Sequence, residues 1–276
     1  MPKNKFANMT IHPNSAKLSA GNFKVERSAW HKGNLNYFPA KKEQFADLNT
    51  LAKEFVFKGF GPDSPIFGDG DKVVTMGSCF ADRLRAWLNA NGKGTTYINV
   101  PEGLNNSFAV RQYLEWALTG DRSTDAYWYD NDKTLGAFQW QPDQEQQKLL
   151  QHFKEVSAVV VTFGLGEVWK DVETNNVFWR GVPAKFYDPA KHKCVTSTVQ
   201  ENVDNMKRIV DLIQTHAGAD TAVIFTLSPV PLNATFTNRP TIVSDCVSKS
   251  ILRVSLDEFF RTDNHKHTYY WPSFEM

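Results

Sequence analysis

Lys72-Val73-Val74-Thr75-Met76-Gly77-Ser78-Cys79-Phe80-Ala81 is the stretch on which the reading of the fold turns. Residues 72 to 76 form a short apolar, β-branched run, the pattern of a strand buried on both faces. Gly77 breaks it. Phe80 to Ala90 then takes up a helical period, with Phe80, Leu84, Trp87 and Leu88 on one face. A glycine directly after a buried strand permits a sharp turn. A small nucleophile at the helix start meets unpaired amides and the positive end of the helix dipole, which favour a thiolate and an oxyanion. The plainer alternative is a capping serine beside a buried cysteine. Ser78 and Cys79 are therefore the candidate catalytic residues, and Gly77 is the turn that presents them.

Working outward, the same alternation of strand and helix recurs. Thr95 to Val100 reads as a strand and Ser107 to Leu118 as a helix capped near Asn106 or Ser107. Asp143 to Phe153 is helical, and Ala158 to Phe163 is the clearest strand in the chain. Val199 to His216 is an amphipathic helix with Val203, Met206, Ile209, Val210 and Ile213 on its apolar face. Ala222 to Leu227 is a buried strand, Ile242 to Phe260 a helix, and His267 to Trp271 a last strand. Tyr127 to Trp140 reads as a hairpin insertion, and Asn175 to Thr198 as an irregular insertion with short strands. Upstream, residues 1 to 40 form an irregular arm, and Ala40 to Phe57 has a helical period. This pattern predicts an α/β fold: a three-layer α/β/α sandwich around a mainly parallel, flavodoxin-like sheet of order 2-1-3-4-5, with insertions. The domain spans residues 41–276 behind the arm at 1–40.

In such a sheet a site lies at the carboxyl ends of the strands. The second strand is followed by Gly103, Asn105 and Asn106, which can offer a backbone amide and side-chain donors, or make a loop and a cap. The third is followed by Gly164-Leu165-Gly166-Glu167, where two glycines suggest close backbone approach and Glu167 a ligand contact or a capped turn. Ser228-Pro229 ends the fourth as a stiff wall. Gly77, Ser78, Cys79, Gly103, Asn105, Gly164 and Glu167 are expected to converge on one cleft. Tyr127, Trp128, Tyr129, Trp140, Phe178 and Trp179 in the insertions either stack on sugar rings or pack.

Composition excludes several classes. The 276 residues are 41% hydrophobic and 22% charged, which excludes disorder and coiled coil. With 31 basic against 30 acidic residues, neither nucleic acid nor an anionic membrane has an electrostatic claim on the chain. The three cysteines, Cys79, Cys194 and Cys246, make neither a disulfide framework nor a zinc knuckle, so a reducing compartment is the simplest reading. The polar N-terminus lacks an apolar leader core, and the longest apolar stretch, Val156 to Phe163, is too short to span a bilayer. A cytoplasmic protein is expected. His265-x-His267 has no third ligand at useful spacing, so no metal and no cofactor are expected.

The chain resembles the GSCFA family, named for the string at Gly77 to Ala81. The resemblance runs from about Val73 to the last residue. It is carried also by Thr162 to Trp169, by Thr226 to Val230, by Ser248-Lys249-Ser250-Ile251-Leu252 and by Tyr270-Trp271-Pro272-Ser273-Phe274-Glu275. That family looks related to the SGNH (GDSL-like) hydrolases, whose first block reads Gly-Asp-Ser with serine as nucleophile. Laid on Gly77-Ser78-Cys79, the third position is Cys79, with Ser78 as its rival. The second block's oxyanion glycine maps to Gly103. The third block is Gly-x-Asn-Asp; here Gly166 stands at the asparagine, and Asn105 or Asn106 is a replacement donor. The resemblance also leads one to expect an Asn-Cys-His-Lys string before Val182-Pro183 and a late Asp-x-x-His block carrying the rest of the triad. Neither occurs in this chain.

The resemblance implies an esterase or acyltransferase acting on an acyl group of a glycan or other small ester through Cys79 or Ser78. The alternative is a non-catalytic binding or scaffold protein on the same fold. With no Asp-x-x-His string the chain is expected to accept an acyl group once and to turn over little.

Overall fold

The computed structural model describes residues 38–39, 42–58, 61–93, 95–97, 105–121, 144–178, 181–182, 184 and 187–276. Two compact units are present, Met1–Asp63 with Met276, and Ser64–Glu275. Within the first, the helical period over Ala40 to Phe57 does not make one helix. Lys42–Phe45 is a 3-10 turn, Leu48–Leu51 an α-helical turn, and Ala52–Val56 a wider π-type continuation. Asp47 causes the break: its backbone is extended, and its carboxylate accepts from the Asn49 amide and the Thr50 hydroxyl, restarting the helix there.

The second unit contains seven strands among the described residues: β1 (Val73–Gly77), β2 (Thr95–Tyr97), β3 (Ala158–Phe163), β4 (Glu167–Asp171), β5 (His192–Thr196), β6 (Ala222–Leu227) and β7 (Thr268–Trp271). Five of them form the main sheet, in the order β2-β1-β3-β6-β7. Every neighbouring pair in it is parallel. Counted along the chain, this is the 2-1-3-4-5 order expected from the strand–helix alternation. The helices are α1 (Cys79–Ala90), α2 (Ser107–Thr119), α3 (Gln144–Phe153), α4 (Val199–His216) and α5 (Thr241–Thr262).

Successive strand residues point to opposite faces, and the two faces are covered unequally. Val74, Met76, Val159, Val161, Phe163, Val223, Phe225 and Leu227 face one large core with α2, α4 and α5. Val73, Ala158, Val160, Ala222 and Ile224 face a smaller one, closed by Leu84 of α1 and by Ile66 and Phe67. The sandwich has three layers, with the thick layer on the α2/α4/α5 side. Trp87, expected on the apolar face of α1, is 62% exposed; Ala81 and Leu88 are the residues that helix buries.

One sequence expectation fails in an informative way. The local pattern puts Glu167-Val168-Trp169 in the loop after β3, but these residues open the strand β4. It pairs antiparallel with β5 in a separate two-stranded ribbon, Glu167 opposite Thr196. The ribbon stands at the carboxyl edge of β3, and its partner strand lies in what the sequence marks as the second insertion. The expected hairpin at Tyr127 to Trp140 lies outside the described residues, as do residues 98 to 100 at the end of the second strand.

The thin face carries a structural liability. Thr75 and Thr162 are fully buried in the sheet, and neither hydroxyl has a hydrogen-bond partner. A buried, unpaired hydroxyl costs about 1–3 kcal/mol of desolvation. Thr75→Val keeps the shape and removes the hydroxyl, so it is expected to raise unfolding stability by about 1 kcal/mol. Urea unfolding with an unchanged slope checks this; a lowered midpoint would mean that the hydroxyl is satisfied in solution.

Candidate active site

Gly77 ends β1 with φ +110°, a conformation open to glycine. A Cβ there would lie 2.1 Å from the Thr162 carbonyl oxygen, the backbone of its register partner. The turn therefore needs glycine both for its torsion and for its space. The Ser78 amide donates to that same carbonyl at 3.3 Å, so the chain is pinned to β3 as it leaves β1.

Ser78 is the N-cap of α1, and its hydroxyl accepts from the Phe80 amide at 3.3 Å. It is buried. Cys79 is the first residue of the helix and is exposed. The two alternatives read from the sequence thus divide between neighbours. Ser78 takes the capping role, and Cys79 presents its thiol to solvent at the dipole's positive end.

Gly164 is the point around which the site closes. A Cβ on it would meet Asn105 Nδ2 at 3.3 Å, Ser228 Cβ at 3.5 Å and Ser78 Cβ at 3.6 Å. Its amide donates to the Asn105 carbonyl at 2.7 Å, and its own carbonyl accepts from Lys249 Nζ at 2.8 Å. Both backbone groups are engaged, so Gly164 offers no amide to a ligand; it supplies the room in which Ser78, Asn105 and Ser228 come together. Asn105 is half-buried, and its Oδ1 is a buried acceptor without a partner, an uncommon state for a polar atom outside a functional site. Asn106 is otherwise employed: its side chain caps α2 by accepting from the Ala109 amide at 2.8 Å.

Gly166 and Glu167 do not join this cluster. The Gly166 amide donates to Ser248 Oγ at 2.6 Å, and its carbonyl accepts from the Ser197 amide and hydroxyl. A Cβ there would sit 3.0 Å from Ser248 Oγ, so this glycine exists for close packing against α5. Glu167 is buried and accepts from Thr235 Oγ1 at 2.7 and 2.9 Å. Its carboxylate serves the β4–β5 ribbon and the loop after β6, not the turn at Gly77. Gly103 lies outside the described residues.

Lys249 is the residue that sequence reasoning passes over, although its string is among those carrying the resemblance. It is 3% exposed on α5. Burial lowers its pKa, while the charges of Asp245 and Cys79 act to raise it. Asp245, one turn earlier, accepts from the Leu232 amide at 2.9 Å and so ties down the loop after Ser228. A signal was available in the sequence: a lysine between two serines on the inward face of a helix is rarely buried without a task.

The described histidines lie elsewhere. His152 and His216 are at the ends of helices that lead into strands, and the His267 carbonyl accepts from Val223 at the start of β6. These mark the amino edge of the sheet, opposite the site. His265 is held there between Asp263 and Asp211 at 2.6 and 2.8 Å. His192 stands on the β4–β5 ribbon.

Beside the ribbon a cleft of about 640 Å³ is lined by Trp169, Tyr187, His192, Cys194, Phe236 and Arg239, among others. Trp169 makes ring contacts with Tyr187 and Phe236 at 5.5 and 5.2 Å, and Phe236 is 72% exposed. Of the insertion aromatics read as stacking on a sugar or packing, Phe178 packs, being buried; Tyr127, Trp128, Tyr129, Trp140 and Trp179 lie outside the described residues.

This is an α/β protein with an exposed thiol at a forced strand-to-helix turn, backed by a buried lysine. The chain belongs to the GSCFA family, whose model matches residues 72–276. No curated protein matches it. Among the described residues no helix is long and apolar enough to cross a membrane, and no group of three or more His, Cys, Asp or Glu side chains could hold a metal ion.

Two outcomes are expected. Gly77→Ala drives a methyl into the Thr162 carbonyl and should cost about 3 kcal/mol or more, read as a lower urea midpoint; an unchanged midpoint would refute the close approach. Cys194 has its pKa pushed up to about 12, first by burial and then by Glu167, against an ordinary 9.0. A raised thiol pKa favours folding below the unfolded value, and that contribution is lost as pH rises from about 9 towards 12. The native protein at pH 8 should therefore leave Cys194 unmodified by iodoacetamide while the urea-unfolded chain reacts there.

Proposed function

We propose that this chain is an SGNH-like esterase or acyltransferase that takes an acyl group from a glycan or other small ester onto Cys79. The observation that carries the reading is the exposed Cys79 at the first position of α1, on a turn that only glycine can make, with Ser78, Asn105 and Gly164 packed behind it. Attack of the sulfur on the ester carbonyl would form a thioester and expel the alcohol. The Cys79 amide and the Asn105 carboxamide are the donors for the oxyanion. Gly164 is not among them, because its amide is already bonded to Asn105. Water as acceptor makes the reaction hydrolysis, and a sugar hydroxyl makes it transfer. The glycan is supported by the aromatic cleft of Trp169, Tyr187 and Phe236, which borders the ribbon at the carboxyl edge of β3. Exposed aromatic faces beside polar groups suit the apolar face of a sugar ring.

One observation favours a non-catalytic binding protein on the same fold. Of the described histidines, four (His152, His216, His265 and His267) lie on elements that run to the opposite edge of the sheet, and His192, on the ribbon, has its Nδ1 accepting from the Asp188 amide.

Intact-mass analysis after p-nitrophenyl acetate separates the readings. The enzyme reading expects one acetyl group, mapped to Cys79, that is lost in Cys79→Ala and kept in Ser78→Ala. The serine variant should be about 1 kcal/mol less stable for want of its cap. An adduct that survives Cys79→Ala would overturn the assignment of the nucleophile, and no adduct on the wild type would favour the binding protein.

A further inference from the structure

We infer that Lys249 is the proton-exchanging partner of Cys79, so that the two form a Cys–Lys dyad in place of a histidine-based one. The inference rests on the reading of Cys79 as nucleophile and supplies the base that reading lacks. Three features of the fold lead to it.

The first is burial without an ion pair. Lysine is almost never fully buried unless paired, yet Lys249 is 3% exposed. Its Nζ donates to the Gly164 carbonyl oxygen, a neutral acceptor, and no carboxylate among the described residues forms an ion pair with it. A buried ammonium without a paired anion is costly, and such a lysine shifts readily towards the neutral amine.

The second is place. Gly164 is the residue around which Ser78, Asn105 and Ser228 close, and the Lys249 amine bonds its carbonyl, so the amine and the residue before Cys79 both pack on this one glycine. The charges that bear on Lys249 come from Asp245 on its own helix and from Cys79 across the site. Burial acts against those two charges and prevails, which holds the amine below the ordinary lysine pKa.

The third is how firmly it is held. Ser248 is bonded to the Gly166 amide at 2.6 Å, and Asp245 to the Leu232 amide at 2.9 Å. Both bonds fall in the turn of α5 that leads into Lys249, and they lock the helix to the loops after β3 and β6. The lysine stem therefore has a fixed root, as a group that must reach one atom requires.

The dyad's chemistry balances. Neutral Lys249 takes the proton of the Cys79 thiol as the sulfur adds to the ester carbonyl. The C–O bond breaks, and the Lys249 ammonium returns that proton to the departing alkoxide. In the second half the amine takes a proton from water, or from a sugar hydroxyl, as the oxygen attacks the thioester. The C–S bond breaks, and the leaving thiolate recovers the proton from Lys249.

The test uses the full chain in a Cys246→Ser background, since Cys246 is also exposed, with Lys249→Met, Lys249→Gln and Lys249→Arg variants. The rate of Cys79 alkylation by iodoacetamide is followed from pH 6 to 10 by intact mass. Lys249→Met and Lys249→Gln should slow it about tenfold at pH 7 and move its profile to higher pH. Lys249→Arg keeps a cation but cannot release a proton near neutrality. It should retain fast alkylation yet lose about 10²–10⁴-fold in deacylation of the acetyl enzyme. If Lys249→Met fails to fold, the glutamine and arginine variants carry the comparison. Alkylation profiles of folded Lys249→Gln that superimpose on the parent would overturn the dyad, as would wild-type deacylation in Lys249→Arg. A lysine-dependent alkylation profile without any acetyl adduct would instead leave the Cys79–Lys249 coupling standing and overturn the esterase reading.

Discussion

The backbone of Thr162 leaves no room for a side chain at residue 77, and much of the site follows from that. β1 and β3 are register partners over their whole shared length, ending at Gly77 opposite Thr162. With the carbonyl of Thr162 where a Cβ would be, the chain can leave β1 only through a glycine at positive φ. The departure is then stapled by the Ser78 amide to the same carbonyl. The position of Ser78 and the exposure of Cys79 are thus consequences of a sheet contact. A side chain held by such a turn is pre-placed, since moving it would require parting two adjacent strands of the sheet.

Around that turn the framework consumes most of the polar groups that a sequence reader would assign to a ligand. Gly166 is bonded on both its amide and carbonyl sides. From it a buried chain runs through Ser197 and Asn202 to Ser107 and Asn205, linking the loop after β3 to α2 and α4. The carboxyl edge is closed further by the last residues. Ser273 donates to the Leu227 carbonyl at the end of β6, and Tyr270 and Arg253 share the Glu275 carboxylate. The Tyr-Trp-Pro-Ser-Phe-Glu string is in this sense a latch on the sheet edge. Such satisfied networks rigidify their surroundings, while Asn105 Oδ1 stays without a partner and Cys79 stays exposed.

The sheet itself was legible. β3, β6 and α4 fall on the residues that their apolar runs mark, because strands buried on both faces and helices with one apolar stripe carry their environment in their composition. The parallel order followed from the alternation of elements. The family string was legible too, and the match over residues 72–276 agrees with it. Less legible were elements whose partners lie far along the chain. Glu167-Val168-Trp169 became a strand because His192 to Thr196 lies beside it, and nothing within the three residues announces that neighbour. Trp87 has the spacing of a core residue, yet α1 turns Ala81 and Leu88 inward and leaves Trp87 exposed.

By itself, then, the sequence determined the strand–helix alternation, the order of the sheet through that alternation, and a glycine followed by a serine and a cysteine at the end of its first strand. Local pattern suffices for the alternation and the turn because each is encoded in the period or torsional demands of a few consecutive residues. The tertiary structure alone decided which of the two candidate nucleophiles is the cap and which faces solvent. It turned Glu167 towards Thr235, spent Gly166 on packing, and bonded Lys249 to the Gly164 carbonyl. Those outcomes depend on close approach between segments some 80 residues apart, as in the bonds from Gly166 to Ser248 and from Gly164 to Lys249. Which atom can approach so closely is settled by packing, and packing is a property of the assembled sheet and not of any string within it.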